Sequence, residues 1–316
     1  MQDRPQIALL AAFLPALFLP GCVTKHASAG RGTQSLAAAR AGFVTHLTRQ
    51  TKTPDLVPQP PAGFERVSYQ APLGAFPAYV ATVPNDGTKH PAIVWVAGGF
   101  DNSIGDTPWA EATPDNDQSA RAFYEAGIVT LYPSLRGGNN NPGYIEGLYG
   151  EVDDVIAAGK YLASRPDVDP KRVYLGGHST GGTLALLVAE STPQFRAVFA
   201  FGPIGRIEQY DSADLPFDTG DSKEMALRSP ILYLGAITSP TYVMEGTESG
   251  NSGPERELYS SCENPLVHFY RLPGLDHFSE LAPITPIIAG EIVQDTGPQP
   301  HFAFVSAQSH IQPMDQ

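Results

Sequence analysis

Short apolar runs recur along the chain at a regular beat. Phe64-Glu65-Arg66-Val67-Ser68-Tyr69 is followed by residues 75–83, then by Ala92-Ile93-Val94-Trp95-Val96 and residues 128–132, 173–175, 197–201, 241–244 and 266–270. From the third run onward most are apolar at consecutive positions, as strands buried on both faces must be. Between them, residues 117–126, 150–164, 181–190 and 253–261 carry helical spacing. Strands alternating with helices predict a mainly parallel sheet of eight strands with right-handed crossovers and helices on both faces, opening with a hairpin-like pair.

Before this pattern lies a different kind of sequence. Residues 7–19 form an apolar run too short to span a bilayer comfortably, which needs about 20 residues, but suited to the core of a signal peptide. It ends in Leu19-Pro20-Gly21-Cys22, which resembles a bacterial lipobox. The resemblance implies a signal peptide over 1–21, lipidation of Cys22, and a bacterial cell-envelope location facing the periplasm, at the outer membrane. A plain secretory signal is the alternative. Residues 22–61, rich in Ala, Thr, Ser, Gly and Pro, read as a flexible tether with a helix possible over 35–48. The globular domain is expected over 62–296, with 297–316 as a C-terminal tail. Within it, residues 203–239 are too long for a plain crossover and read as a lid-like insertion. Ser229-Pro230 there is a helix start, and 211–221 a mobile loop.

Composition narrows the function classes. Apolar residues make up 42% and charged residues 17%, which fits a folded globular chain and not a disordered one. A net charge of -13 and the lack of a Lys/Arg run argue against nucleic-acid binding. With Cys22 acylated, Cys262 has no partner for a disulfide and reads as an inert, buried thiol. No His/Cys/Asp cluster has ligand spacing and no glycine pattern is placed for a dinucleotide, so neither metal nor cofactor is expected.

Candidate chemistry centres on Gly177-His178-Ser179-Thr180-Gly181, with the apolar run 173–175 before it and the helical pattern 181–190 after it. A serine hydroxyl is a weak nucleophile and must be exposed on a sharp strand-to-helix turn where a base reaches it; the flanking glycines allow strand and helix to approach. This context resembles the nucleophile elbow of the α/β-hydrolases, which identifies Ser179 as nucleophile and the Thr180 N–H as one oxyanion donor. The fold implies a second donor after the third strand, where Ala97-Gly98-Gly99-Phe100 offers the N–H of Gly99 or Phe100. It also implies the order Ser, acid, His. His277 follows the last strand and is the expected base, while His268 lies within that strand and His301 and His310 fall in the tail. For the acid, the loop after the seventh strand contains no Asp. Glu248 is the candidate, with Glu245 at the strand end and the uncharged Asn251 as alternatives.

Residues 150–155 and 161–173, leading into the serine motif, together with Tyr132-Pro133-Ser134-Leu135-Arg136-Gly137-Gly138, resemble the prolyl-oligopeptidase and dienelactone-hydrolase branch of that superfamily from about residue 91 to 278. The resemblance implies a serine hydrolase, peptidase S9-like, that cleaves small ester or amide substrates through an acyl-enzyme. A short-peptide peptidase and a non-catalytic, lipid-anchored binding protein are the alternatives. Asp153 and Asp154, at a helix start, read as partners of the helix dipole.

Overall fold

The computed structural model describes residues 34–83, 86–302, 304 and 311–314. The leader 1–21, Cys22 and His310 lie outside the described residues. All eight expected strands form. β1 (Phe64–Ala71) and β2 (Gly74–Ala81) make the hairpin; β3 (His90–Val96), β4 (Val129–Pro133), β5 (Val168–His178), β6 (Val198–Phe201), β7 (Thr241–Gly246) and β8 (Val267–Leu272) are mutually parallel. A ninth strand, β9 (Gln312–Pro313), comes from the expected tail and pairs antiparallel with β8. The sheet order is β1-β2-β4-β3-β5-β6-β7-β8-β9, the α/β-hydrolase arrangement with one added edge strand.

The unbroken apolar runs are explained by two cores. Along β3, Ala92, Val94 and Val96 face one cluster and Ile93 and Trp95 the other, because successive strand residues point to opposite faces. Helices α3 (Glu151–Ser164) and α4 (Thr180–Ala189) cover the first face; α2 (Arg121–Glu125) and α7 (Leu281–Gln294) cover the second. The stretch that becomes α7 carries Pro286 inside the helix, yet Leu281, Ile284, Ile288 and Ile292 keep a buried stripe at helical spacing. Phe302 and Phe304 of the tail pack on Tyr242, so this part of the tail is core as well.

The described part of the expected tether, residues 34–61, is in fact a strap. After the short helix α1 (Leu36–Arg40), the chain runs across the insertion and on toward the loop that follows β3. Thr48 donates its N–H to Pro216 at 2.7 Å, and the Glu224 carboxylate accepts from the His46 N–H at 2.6 Å. Farther along, Thr53 bonds through its N–H to the Gly137 carbonyl at 2.8 Å, and the Pro58 carbonyl accepts from the Tyr79 hydroxyl at 2.6 Å. Its polar and proline-rich composition resembles a linker because these bonds use backbone groups, which leave little trace in side-chain type.

The insertion is also packed. Leu215 and Phe217, in the stretch read as a mobile loop, are buried, and the Arg228 guanidinium stacks on Phe217 with its carbon 3.8 Å from the ring centroid. The helix expected from Ser229-Pro230 is only a pair of 3-10 turns, Pro230–Leu232 and Leu234–Ala236, while a short helix, α5 (Ser222–Ala226), forms upstream where Asp221 caps it.

Asp153 and Asp154 have more specific work than opposing a helix dipole. Asp154 is fully buried and holds the Arg136 guanidinium through two bonds of 2.9 Å, while Asp153 pairs with Arg40 at 2.7 Å. Arg136 bonds Glu146 at 2.8 Å with its remaining arm. Fork-to-carboxylate geometry of this kind fixes orientation as well as charge. Asn102, just beyond β3, joins the network by donating to the Arg136 carbonyl at 2.8 Å and to Glu151 at 3.0 Å.

Candidate active site

β5 ends at His178 and α4 starts at Thr180, leaving Ser179 alone at the turn with φ 59° and ψ -118°. A non-glycine residue in this region is strained, and the surrounding contacts must hold it there. They do so in part through the Ser179 N–H, which donates to the Phe201 carbonyl at 2.8 Å. Ser179 is half-buried between fully packed neighbours. The loop after β3 lies directly against it: a Cβ added to Gly98 would sit 3.1 Å from the Ser179 Cβ. Thr180 reaches the same loop with its side chain, its hydroxyl donating to the Gly99 carbonyl at 2.7 Å.

His277 lies in the loop after β8, as expected. Its Nδ1 is 3.1 Å and 3.3 Å from the two oxygens of Glu245, which is fully buried at the end of β7. The structure does not bring Glu248 to the histidine. Glu248 is exposed and its carboxylate accepts from the adjacent Thr247 hydroxyl at 3.2 Å. The reason is the course of the chain: after β7 the backbone turns outward through 247–250, carrying Glu248 to solvent, whereas Glu245 still points inward from the strand. Asn251 does not face the ring either but supports Glu245, giving its N–H to the carboxylate at 2.7 Å and its side-chain amide to the Gly202 carbonyl at 2.7 Å.

Two glycines make room for this pair. Gly202, at φ +56°, and Gly250, at φ +98°, have backbone conformations that side chains rarely adopt. A Cβ on Gly202 would collide with the His277 ring, and one on Gly250 would come within 2.5 Å of both Glu245 Oε1 and the His277 Cβ. Neither glycine has a signal in the sequence: Gly202 directly follows β6, and Gly250 lies in the loop between Gly246 and Ser252.

His178 couples the turn to the histidine loop. Its Nε2 meets the His277 carbonyl at 2.6 Å, and since a carbonyl only accepts, Nε2 carries the proton. Burial, and then the nearby His277, lower its pKa to about 4, so this ring is neutral at physiological pH. Among the described residues, His178, His277 and Glu280 offer potential metal-ligand atoms within 4.8 Å of one another. One Glu280 oxygen accepts from the Gly246 N–H at 2.7 Å and His277 Nδ1 faces Glu245, while the other Glu280 oxygen and His178 Nδ1 are buried without a hydrogen-bond partner among the described residues.

Glu255, in helix α6 (Ser252–Ser261), is buried, and neither carboxyl oxygen is hydrogen-bonded among the described residues. Burial, with the charge of Glu245 adding to it, pushes its pKa up from 4.5 to about 9. The folded state therefore keeps a proton that the unfolded state gives up, and stability falls as pH rises through the window between these two values. Glu255→Gln removes that liability. Chemical denaturation is expected to show a gain on the order of 2–3 kcal/mol at pH 8 and little change near pH 4.5. An equal effect at both pH values would mean that Glu255 is ionised in the fold.

A small cleft of about 80 Å³ opens beside the loop after β3, lined by Trp95, Gly99, Asp101, Ile104, Tyr132 and Thr180 among others, with walls more apolar than polar.

Comparison with known proteins agrees with this geometry. Residues 115–247, under half of the chain, match the prolyl oligopeptidase family, peptidase S9. Among solved structures, a puromycin-hydrolysing peptidase of Mycobacterium tuberculosis superposes with a TM-score of 0.59 at 20% identity, over 76% of this chain and 42% of that one. This chain thus spans less than half of that peptidase. An esterase of Pyrobaculum calidifontis gives a TM-score of 0.54 at 18% identity, covering 74% of this chain and 86% of that one. At these identities the likeness is one of fold. No curated protein matches the sequence. The fold is thus that of the α/β-hydrolases, and the matched segment carries the strand, serine turn and helix described above.

Proposed function

We propose that the chain hydrolyses ester or amide bonds of small substrates through an acyl-enzyme, with Ser179 as nucleophile, His277 as general base and Glu245 as the acid that orients it. The observation that carries this reading is the buried His277–Glu245 pair beside a strained serine turn. In the first step His277 takes the Ser179 proton as the hydroxyl oxygen attacks the carbonyl carbon; the same proton then goes to the leaving group, and water repeats the sequence to release the acid. Glu245 holds the Nδ1 proton and stabilises the imidazolium.

The oxyanion is met by the N–H of Thr180 and, by our reading, that of Gly99. The Gly99 carbonyl points to the Thr180 hydroxyl, and in a trans peptide the Phe100 N–H points the opposite way. Gly98, the residue before that N–H, packs directly against Ser179.

The puromycin-hydrolysing peptidase and the esterase bracket the substrate range, and the mainly apolar cleft favours small esters and amides over long peptides. A fluorophosphonate probe tests the reading: one adduct on Ser179 is expected, and a folded protein that takes none sinks it in favour of a binding protein. Matched p-nitrophenyl ester and aminoacyl anilide panels then divide esterase from short-peptide peptidase.

We also propose, from Leu19-Pro20-Gly21-Cys22 alone, that Cys22 is lipidated and holds the chain in a bacterial envelope facing the periplasm. Incorporation of an alkyne fatty acid that disappears in Cys22→Ser is expected; incorporation that persists would place the lipid elsewhere or nowhere on this motif.

A further inference from the structure

The loop that supplies the second oxyanion donor contains three positions with no regular secondary structure between β3 and Ile104 whose carbonyls are each held by a hydroxyl. The Thr180 hydroxyl donates to the Gly99 carbonyl at 2.7 Å and the Thr53 hydroxyl donates to the Asp101 carbonyl at 2.6 Å. Ser134 donates to the Asn102 carbonyl at a longer 3.3 Å, where the Leu135 N–H at 2.9 Å is the stronger partner. The first two bonds flank Phe100, one from the helix that carries the nucleophile and one from the amino-terminal strap. Neither hydroxyl has a role in proton transfer, and neither follows from the glycine or serine motifs.

We infer that Thr180 and Thr53 are positioning residues that clamp this loop through the Gly99 and Asp101 carbonyls, anchoring the backbone that follows the Gly99 N–H so that this donor stands ready for the oxyanion. This rests on the serine-hydrolase reading and adds the device that holds its oxyanion site in place. A hydroxyl bonded to a carbonyl fixes the peptide plane that carries it, here Gly99–Phe100 and Asp101–Asn102, and the Gly99 N–H is separated from the first of these planes only by the dihedrals of Gly99 itself. Each residue brings a different anchor. Thr180 belongs to the first turn of α4, so its bond ties donor loop and nucleophile to one rigid helix. Thr53 is itself held at both backbone groups: its N–H donates to Gly137 at 2.8 Å, and its carbonyl accepts from Asn140 at 3.3 Å. Asn139 completes the outer side, accepting the Ile104 N–H on its amide oxygen at 2.7 Å. The strap is therefore part of the oxyanion site's support as well as a cover for the insertion.

Preorganised donors stabilise the developing charge without having to move, whereas a loop free to rotate loses that advantage. Misplacement of about 1 Å is enough to cost up to about a hundredfold in rate. Thr180→Val keeps the backbone N–H and the approximate shape but removes the hydroxyl. It is expected to lower kcat on p-nitrophenyl acetate about tenfold, with KM within about twofold of wild type. Thr53→Val is expected to act in the same direction by several-fold, and the double variant more than either. Thr180→Ser and Thr53→Ser, which keep the hydroxyl, are expected to restore most of the loss.

Hydrogen exchange of the peptide covering residues 97–104 provides a readout independent of turnover, expected to quicken about tenfold in the valine variants while Tm changes little. Thr53 sits on the strap away from the sheet, so its variants carry the test even where Thr180→Val fails to fold. Folded valine variants with wild-type kcat and unchanged exchange over 97–104 overturn the clamp. A loss of kcat shared equally by the serine variants also overturns it. A wild-type protein without turnover or fluorophosphonate labelling would instead overturn the hydrolase reading, and the exchange result would still decide the clamp.

Discussion

Ser179→Ala is expected to lower kcat by about a millionfold on any ester the protein turns over, with KM changed little. The size of the loss follows from the chemistry: without the hydroxyl there is no acyl-enzyme, and His277 and Glu245 have nothing to activate. What remains, about 10³–10⁴ over the reaction in water, comes from oxyanion contacts and substrate positioning alone. The measurement is steady-state hydrolysis of p-nitrophenyl acetate by purified protein, with thermal unfolding recorded alongside. Alanine at a strained, positive-φ position gains no contact and relieves no clash, so Tm should stay within a few degrees. Turnover that survives the substitution would mean that another group performs the attack.

Glu245→Gln is expected to reduce kcat by about 10⁴, and Glu248→Gln to leave it within twofold. Glutamine keeps the length of the side chain, so the buried site stays filled. Its amide oxygen still accepts the Asn251 N–H. It lacks the charge that stabilises the imidazolium, and its NH₂ group drives His277 toward the wrong tautomer. Glu248 points into solvent beside Thr247 and has no such part to play. Kinetics of both variants at saturating substrate separate the two acids. Slow Glu248→Gln with fast Glu245→Gln would reverse the assignment.

The contrast between these two glutamates marks where sequence reading loses its grip. Ser179 and His277 were legible because strand, turn and chain order leave one residue of each type in the necessary place. The acid was not, since Glu245 and Glu248 are three residues apart and the choice depends on where the strand ends and which way the backbone turns after it. A strand ending two residues later than the apolar run suggests keeps Glu245 pointed inward. Its neighbour Gly246 is the last residue of β7 and already carries the Glu280 bond, a long-range contact with no local signature.

The same division runs through the fold. The six parallel strands follow from apolar runs because burial on both faces demands them, and α3 and α4 from their periodicity. The strap, α7 and β9 were missed for distinct reasons. Strap residues bond through their backbones, α7 hides behind internal prolines, and β9 is two residues long. The pairing of Asp154 with Arg136 lies 18 residues apart in sequence, beyond the reach of helix-end rules.

That smallest strand has an effect out of proportion to its length. A parallel sheet whose last strand, β8, ended in open solvent would present a row of unpaired N–H and C=O groups on which a second molecule could lay its own strand. β9 covers Tyr270 and Arg271 at that border, and its second residue, Pro313, has no N–H to offer an incoming chain. At this border the fold leaves little to template upon, which works against the edge-to-edge growth that leads to aggregates.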